Sequence, residues 1–453
     1  MDKRRAPLPL LVIEGVLLLL VAPPLLSPET APGVTVAALL LLALSWLISL
    51  RFVAPPATPF NLILLLWGLA LMVGIVVSAD PTETLPKATG LILGLAVWRY
   101  LVLAARTRRA LVLAVAAGLL LGLGLSLVGI FGLQEMLKIP LLAGLNPFGR
   151  LSLPGLGGLS IHPNQLAALI CLYLPLLVSL SFAGPRFSSN EESAFSNADE
   201  PGSVGRLAAG GIPSRTTMAI GRALLVVATF VATGLLLLTQ SRGGWLAALV
   251  GLFALLVLWS LALPPTPARR RLRLLAVVLA LAGVTAVVWV GPGVLRDLWL
   301  NPPAETAVGS LRTLNYRKEL WPWAVTAIGD FPFTGLGLGA FRQVVFRLYP
   351  VALAAGRDVG HAHNIFLQTA LDVGLPGLIV YLALLIVAGA VGWRVARADG
   401  GLRPVALGLL AGLLALHVFG IADALALGAK PGIVFWYVLG LLAAMNGLVR
   451  PRA

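Results

Sequence analysis

The chain has 453 residues, of which 59% are hydrophobic and only 11% are charged, and its mean hydropathy is +0.96. A soluble globular domain carries about 25% charged residues, so this composition excludes an ordinary soluble protein. The formal charge of +15 is spread over short connections between apolar runs, which argues against nucleic-acid binding. We therefore expect a single membrane domain, residues 1–453, in contact with a lipid bilayer.

Apolar runs of about 20 residues recur along the chain, which is the length that a helix needs to cross a bilayer. Because unpaired backbone groups are too costly in lipid, such runs cross as helices. The pattern predicts an all-α polytopic membrane protein with about twelve transmembrane helices. The runs lie near residues 8–26, 34–53, 60–78, 89–105, 110–132, 163–183, 222–239, 243–263, 274–291, 364–391, 404–420 and 432–448.

The basic residues indicate how the chain is oriented. Most of the 33 Lys and Arg residues fall on alternate connections, starting with Lys3, Arg4 and Arg5, and short basic connections stay in the cytoplasm. We therefore expect both termini on the cytoplasmic side of an inner membrane. The N-terminal segment is interpreted as an uncleaved first span, because no small-residue cleavage site clearly follows its apolar run.

Two hydrophilic segments interrupt the apolar pattern. Residues 184–221 are rich in Ser, Asn, Gly and Glu; because they cannot bury enough apolar surface to become ordered, we predict a flexible cytoplasmic linker. Residues 292–362 combine helical apolar spacing around Trp321 with a Pro/Gly turn region after Asp330. They predict an extracytoplasmic loop with one or two amphipathic helices lying on the membrane.

Titratable residues gather where this loop enters the next apolar run. His361 and His363 are two of only four histidines, and an imidazole can take a proton from a hydroxyl near neutral pH. His363 opens the helix, so it is either a catalytic base or a hydrogen-bonding cap. His361, two residues earlier on an extended segment, is expected to point elsewhere. Asn364 is expected to orient the base or to cap the helix.

Two arginines and an asparagine are candidates for binding an anion on the same side of the membrane. Arg242 lies at the turn between two apolar runs, where an arginine is costly unless it has a partner or a task. A guanidinium binds phosphate bidentately; the alternative is that Arg242 reaches to lipid headgroups. Arg317, on the amphipathic stretch, is the second candidate. Asn164, at the start of the sixth run, either hydrogen-bonds a sugar or phosphate or caps its helix.

Four further polar residues stand singly in or beside the spans, and two of them, Glu14 and Arg99, are candidates for an ion pair; the others are Asp423 and His417. The sequence has no His/Cys cluster at ligand spacing, no Asp-rich motif and no Walker A motif. It therefore predicts no metal site, no cofactor and no use of ATP. The chemistry indicated is a base acting with arginines that neutralise a phosphate leaving group.

These residues, in this order, resemble the O-antigen ligase and O-antigen polymerase family of bacterial membrane glycosyltransferases. The Arg-x3-Leu motif of the ligases is matched by Arg242 and Leu246. Their His-[Asn/Ser/Gln]-x9-Gly-x-x-Gly motif is matched by His363-Asn364, nine intervening residues, and Gly374 and Gly377. Two further stretches are similar: Arg317…Trp321…Pro332…Gly335-Leu-Gly337, and His162-Pro-Asn164. The length of the 184–221 segment and Asp372, where Glu is frequent, depart from the family pattern.

The resemblance implies a GT-C-like membrane fold and a donor glycan linked to a polyprenyl diphosphate. It implies that His363 is the base that activates an acceptor hydroxyl, and that Arg242 and Arg317 hold the donor diphosphate, with Asn364, Asn164 and His361 as further substrate-binding candidates. The expected activity is transfer of the glycan to a lipid or glycan acceptor at the extracytoplasmic face.

Three other functions stay open at the level of sequence, and one of them is a protein that merely scaffolds an envelope-assembly complex. A repeat-unit polymerase of the same family would use the same donor and another repeat unit as acceptor. A transporter, for example of inorganic carbon, would be expected to place charged or broken-helix sites at mid-membrane, often in repeated halves. Here the polar groups gather at one surface, and no inverted repeat is evident, which favours the transferase.

Overall fold

The structure, a computed structural model, describes residues 7–54, 56–131, 162–183, 215–303, 313–352, 359–425, 428 and 430–449. Within these residues it is helical and contains no strand. The helices are α1 (Leu8–Leu26), α2 (Pro32–Phe52), α3 (Asn61–Val76), α4 (Pro81–Ala104), α5 (Arg108–Phe131), α6 (Pro163–Ala183), α7 (Arg215–Leu238), α8 (Arg242–Ala262), α9 (Pro267–Val290), α10 (Pro292–Leu300), α11 (Thr313–Asp330), α12 (Phe341–Leu348), α13 (Ile365–Ala398), α14 (Arg403–Gly420) and α15 (Ile433–Val449).

Eleven of the described helices are long and apolar enough to cross a membrane, and α3 is a shorter apolar helix of 16 residues. This confirms the all-α polytopic membrane fold, with a helix at each of the twelve predicted runs. Helix α7 begins at Arg215, inside the range predicted as a linker, and the rest of that range, residues 184–214, lies outside the described residues. The predicted pair is also present, because Arg99 Nη1 lies 3.0 Å from Glu14 Oε1.

The best-buried helices are α6 and α14, which pack against each other. Helix α14 also packs on α8 and α13, while α15 packs on α4. At the other extreme, α9 packs mainly on α8, and its apolar side chains, such as the 87% exposed Trp289, face outward. Since apolar side chains can face lipid tails without cost, this pattern of exposure fits helices that lie in a bilayer.

The hydrophilic segment between α9 and α13 contains three helices among its described residues, namely α10, α11 and α12. We predicted one or two helices, and that number was wrong. The glycines at 335, 337 and 339 indicate a turn, so the eight-residue helix α12 that follows them was not recognised. Helix α11 packs on α13 through Leu320, Ala324 and Ala327, which are fully buried. This contact joins the segment firmly to the start of α13.

A glycine-rich loop, residues 334–340 (the glycine loop), connects α11 to α12 and is buried between α3, α4 and α13. Its backbone N–H groups are paired with these helices: Leu336 N donates to Leu371 O at 2.7 Å and Leu338 N donates to Gly74 O at 2.7 Å. Thr84 Oγ1 in turn donates to Leu338 O at 2.7 Å. Because buried backbone groups must be paired, these bonds fix the loop and the N-terminal part of α13 together.

Helix α13 changes direction at Gly374, whose φ of 73° and ψ of 176° are not helical. The break leaves the N–H of Leu375 without its usual helical acceptor. This N–H donates instead to Pro332 O at 2.7 Å, just before the glycine loop. A Cβ at Gly374 would lie 2.4 Å from Phe333 O. The break therefore depends on glycine, and it separates the polar first turns of α13 from its long apolar part.

Substitution of Gly337 by Ala tests how far the fold depends on the glycine loop. Gly337 has a φ of 99°, and an added Cβ would lie 2.4 Å from Ser78 Cα. Because the strained conformation alone costs roughly 1–3 kcal/mol, we expect a clear fall in the thermal unfolding temperature of the purified protein. Gly329→Ala is the matched control, since a Cβ there meets no atom within 4 Å. Equal unfolding temperatures for the two variants would contradict this role.

Candidate active site

The polar residues singled out by sequence come together where four segments meet: the residues before α13, the connection after α14, and the first turns of α6 and α8. Asn364 is the N-cap of α13, and its Oδ1 accepts hydrogen bonds from Phe366 N at 2.9 Å and Leu367 N at 3.0 Å. Its Nδ2 donates to Ile421 O at 3.0 Å. The cap therefore also fastens the start of α13 to the end of α14.

The centre of the site is the carboxylate of Asp423. His363 Nδ1 lies 3.1 Å from Asp423 Oδ1, Ala424 N donates to the same oxygen at 2.9 Å, and Asn164 Nδ2 donates to Oδ2. The Asp423 side chain is only 8% exposed, whereas that of His363 is 26% exposed. Burial alone would raise the pKa of Asp423, but the hydrogen bond to His363 and the two nearby imidazoles hold it below its usual range. The carboxylate is thus ionised and acts as an acceptor.

His361 lies beside His363 and does not point elsewhere, which corrects the sequence-based expectation. The ring centroids are 4.2 Å apart, and His361 Nε2 lies 3.8 Å from Asp423 Oδ1. The reason is the left-handed backbone of His363, whose φ of 49° turns the chain and places both rings on one side. Burial and the neighbouring His363 lower the pKa of His361 to about 4, so at neutral pH this imidazole is uncharged.

The peptide between the two histidines is held from both sides. Ala362 N donates to Gln368 Oε1 at 2.8 Å, and Trp321 Nε1 donates to Ala362 O at 3.0 Å. Tyr316 packs edge-on against His363, with ring centroids 5.2 Å apart. Since α11 supplies Trp321 and Tyr316, the extramembrane segment fixes the orientation of the histidine pair.

Asn164 links Asp423 to Ser241, the residue that precedes Arg242. Its Nδ2 donates to the Asp423 carboxylate, and its Oδ1 accepts a hydrogen bond from Ser241 Oγ at 3.0 Å. Ser241 is the N-cap of α8 and accepts from Gly244 N, so Arg242 becomes the first residue of that helix. The Arg-x3-Leu motif is thus tied to the histidine motif through one asparagine and one carboxylate.

Arg317 approaches the site from α11. Its Nε donates to Ala422 O at 2.6 Å and its Nη1 donates to Thr313 O at 3.1 Å. Burial and the nearby positive charge of Arg242 lower the pKa of Arg317, while the charge of Asp423 acts in the opposite direction. The charges of Arg242 and Asp423 both act on Arg317, and its bond to Ala422 O places it beside the residue that precedes Asp423.

Three of these residues could also hold a metal ion. His361, His363 and Asp423 offer ligand atoms that lie within 4.8 Å of one another, and two imidazoles with a carboxylate are an ordinary donor set for a transition metal. The sequence showed only the two histidines, because Asp423 lies 60 residues further along the chain. The expectation that the reaction needs no metal stays a prediction.

The structure places His361, His363 and Asn164 at the carboxylate of Asp423, which the sequence showed only as an isolated polar group, and the other three candidates on the segments around it. The candidates are His361, His363, Asn364, Arg242, Arg317 and Asn164. A signal for Asp423 was available, since a lone carboxylate at the edge of an apolar run is costly and usually has a partner. The sequence does not indicate which residues are the partners of Asp423.

Asn364 offers a test of how the site is attached to α13. Asn364→Ala removes a helix cap, which is worth about 1 kcal/mol, and also the bond to Ile421 O, so we expect a lower thermal unfolding temperature. Asn364→Asp keeps the capping oxygen but loses the Nδ2 donor, and we expect it to lose less. If the two variants unfold at the wild-type temperature, the cap does not stabilise this junction.

Comparisons with known proteins agree with the motifs. Residues 227–382 match the model of the O-antigen ligase family. Among curated proteins, none matches the chain significantly. The matched range contains Arg242, Arg317 and both histidines of the pair, whereas Asn164 and Asp423 lie outside it. The resemblance to the O-antigen ligases is thereby confirmed, and the chain is a multi-pass membrane protein that carries an O-antigen ligase family domain.

Proposed function

We propose that this protein transfers a glycan from a polyprenyl diphosphate to an acceptor hydroxyl. The observation that carries the proposal is the contact between His363 and the buried Asp423, with Arg242 and Arg317 beside it. A base next to clustered guanidinium groups is the arrangement that an attack by a hydroxyl with loss of a phosphate group requires. The match of residues 227–382 to the O-antigen ligase family supports the same class of reaction.

His363 acts as the base in this proposal. The ionised Asp423 can only accept hydrogen bonds, so Nδ1 of His363 carries the proton that lies between them, at 3.1 Å. The other ring nitrogen, Nε2, is then unprotonated and can accept the proton of the acceptor hydroxyl. Asp423 orients the ring and stabilises the imidazolium that forms, as the carboxylate does in other histidine–carboxylate pairs.

Arg242 and Arg317 bind the diphosphate of the donor. As the acceptor oxygen bonds to the anomeric carbon, the bond from that carbon to the phosphate oxygen breaks, and the electron pair leaves with the polyprenyl diphosphate. Guanidinium groups stabilise the charge that develops there. The carbonyls of Ala422 and Thr313 accept hydrogen bonds from Arg317. These bonds orient its guanidinium group before the donor binds. Asn164, Asn364 and His361 complete the substrate-binding surface.

The membrane arrangement that accompanies this chemistry follows from the positive-inside pattern. Both termini lie on the cytoplasmic side of a bacterial inner membrane. Residues 292–362 and the site lie at its extracytoplasmic face. The donor's lipid tail stays in the bilayer while its diphosphate meets the arginines at the surface. The fold is GT-C-like in this proposal, as the resemblance implies.

A ligase and a repeat-unit polymerase of this family share donor, base and leaving group, and they differ in the acceptor. We favour the ligase, because the His-Asn-x9-Gly motif at His363 matches that of the ligases. Incubation of the purified protein with a polyprenyl-diphosphate glycan and either a lipid-core acceptor or a second repeat unit distinguishes them. Mass spectrometry of the products shows which acceptor is extended.

The role of His363 is tested by His363→Ala and His363→Gln in that assay. We expect product formation to fall by at least 100-fold, because general-base catalysis contributes about 10²–10⁴-fold. EDTA is expected to leave wild-type activity unchanged. Both variants must insert and unfold as the wild type does. Transfer at the wild-type rate by either correctly inserted variant would refute the base, and loss of activity in EDTA would refute the metal-independent reaction.

The arginines are tested by Arg242→Ala and Arg317→Ala, with Arg296→Ala on the exposed helix α10 as the matched control. Loss of a charge-assisted contact to phosphate is worth about 1.5–3 kcal/mol, so we expect each variant to lose roughly 10- to 100-fold in kcat/KM for the donor. Inhibition by inorganic pyrophosphate should weaken in parallel. Unchanged pyrophosphate inhibition in both variants would show that these arginines do not bind the diphosphate.

A further inference from the structure

His363 has a strained backbone, and the residue before it is held in place by side chains. The φ of His363 is 49°, which is left-handed, a conformation that residues other than glycine rarely adopt. Such a conformation persists only where the surrounding structure fixes it, and such residues cluster at functional sites. The contacts that fix it here are therefore candidates for a role in the proposed transfer.

The backbone of Ala362, which lies between the two histidines, is bonded on both sides. Its N–H donates to Gln368 Oε1 at 2.8 Å, and its carbonyl accepts a hydrogen bond from Trp321 Nε1 at 3.0 Å. Ala362 is fully buried, and buried backbone groups need a partner. Trp321 belongs to α11, whereas Gln368 belongs to α13, so two separate elements hold this residue.

The carboxamide of Gln368 can hold Ala362 in only one orientation. Its Oε1 faces the Ala362 N–H, and its Nε2 donates to Asp372 Oδ1 at 2.8 Å. Asp372 Oδ1 acts as an acceptor, so it excludes the flipped amide, whose oxygen would face it. Gln368 is only 3% exposed and depends on these two partners. Asp372 thus sets the orientation of Gln368.

Asp372 is fixed in turn by the glycine loop. Gly339 N donates to Asp372 Oδ1 at 3.0 Å, and the φ of Gly339 is 83°, which favours glycine. The loop is itself hydrogen-bonded to α3 and α4. A continuous path of hydrogen bonds therefore runs from the loop through Asp372 and Gln368 to the residue before His363.

We propose that Gln368 and Asp372 are a positioning pair that holds the base, His363, in its reactive orientation. The inference rests on the proposed function, in which His363 takes the proton of the acceptor, and it adds two residues that act through the base rather than on the substrate. His363 Nδ1 lies 3.1 Å from Asp423 Oδ1. Without the pair, the backbone of His363 relaxes towards an ordinary conformation and carries the ring away from that carboxylate.

Gln368→Met tests the pair by transfer, since methionine has a similar volume and lacks a strong hydrogen-bond acceptor. A misplacement of ~1 Å can cost ~100-fold in rate, so we expect kcat to fall at least about 10-fold. KM for the donor and inhibition by inorganic pyrophosphate should stay at wild-type values, because the two arginines are not moved. Thr369→Val is the matched control, since Thr369 is 7% exposed and its Oγ1 donates to Ile365 O of the same helix.

Asp372 is tested with two variants. Asp372→Ala removes the acceptor and should lower kcat as Gln368→Met does. Asp372→Asn keeps an oxygen that can accept from both N–H groups, so we expect it to recover most of the activity that Asp372→Ala loses. Because the two residues act through one peptide, the double variant Gln368→Met/Asp372→Ala should lose little more than the more impaired single variant. Two independent stabilising contacts would instead give additive losses.

Amide hydrogen exchange measures the positioning directly and does not depend on transfer. The Ala362 N–H is protected by its bond to Gln368 Oε1. From the usual net contribution of one hydrogen bond, we expect exchange at Ala362 to be roughly 3- to 10-fold faster in Gln368→Met and in Asp372→Ala. Thr369→Val should exchange at the wild-type rate. All variants are full-length proteins in nanodiscs, and their thermal unfolding is compared with that of the wild type.

The positioning role is overturned if Gln368→Met keeps the wild-type kcat, or if exchange at Ala362 does not change. It is also overturned if KM and pyrophosphate inhibition change as much as kcat does, which would place the pair in the substrate site. Equal effects of Thr369→Val would indicate a general loss of packing and would overturn it too. If Gln368→Met does not fold, the difference between Asp372→Ala and Asp372→Asn decides. If the wild type transfers no glycan, the proposed function fails, whereas exchange still shows whether the pair holds the peptide.

Discussion

The structure around the site depends on one buried carboxylate. Asp423 accepts hydrogen bonds from the imidazole of His363, the carboxamide of Asn164 and the backbone N–H of the next residue, Ala424, and the first two donors come from distant parts of the chain. An ionised carboxylate at the edge of a membrane is expensive to bury, and it is tolerated only when such donors surround it. The same requirement makes Asp423 an organising point, because His363 and Asn164 must both reach it, and this brings the start of α13 and the start of α6 together.

Much of the fold could be predicted from hydropathy, because a run of about twenty apolar residues crosses a bilayer as a helix. The candidate residues could be predicted as types and as motifs, since an arginine near lipid and a histidine at a helix start both need an explanation. Their mutual arrangement could not. The turn that brings His361 beside His363 depends on a left-handed backbone at His363. Nothing in the local sequence predicts that conformation for a histidine. The pairing of Asp423 is a contact over 60 residues, which no local pattern encodes.

The glycine loop illustrates how local and distant constraints agree in this protein. Read locally, its alternating glycines indicate a turn and nothing else. In the structure they allow the backbone to pass against Ser78, Glu83 and Leu371, and the N–H groups of the loop pair with carbonyls of α3 and α13. The loop thereby fixes the polar first turns of α13, on which Asn364 and Gln368 stand. The glycines are needed for close contact with distant helices more than for the turn itself.

The position of Asp423 along the chain has a consequence for biosynthesis. The carboxylate is provided by the connection between α14 and α15, far beyond the arginine and histidine motifs that it links. During synthesis, the histidine pair and both arginines leave the ribosome while the group that holds them together has not yet been made. A nascent chain therefore contains the motifs of the family domain but no assembled centre. Assembly must await the synthesis of the connection after α14, so the centre forms only after most of the membrane domain has been made.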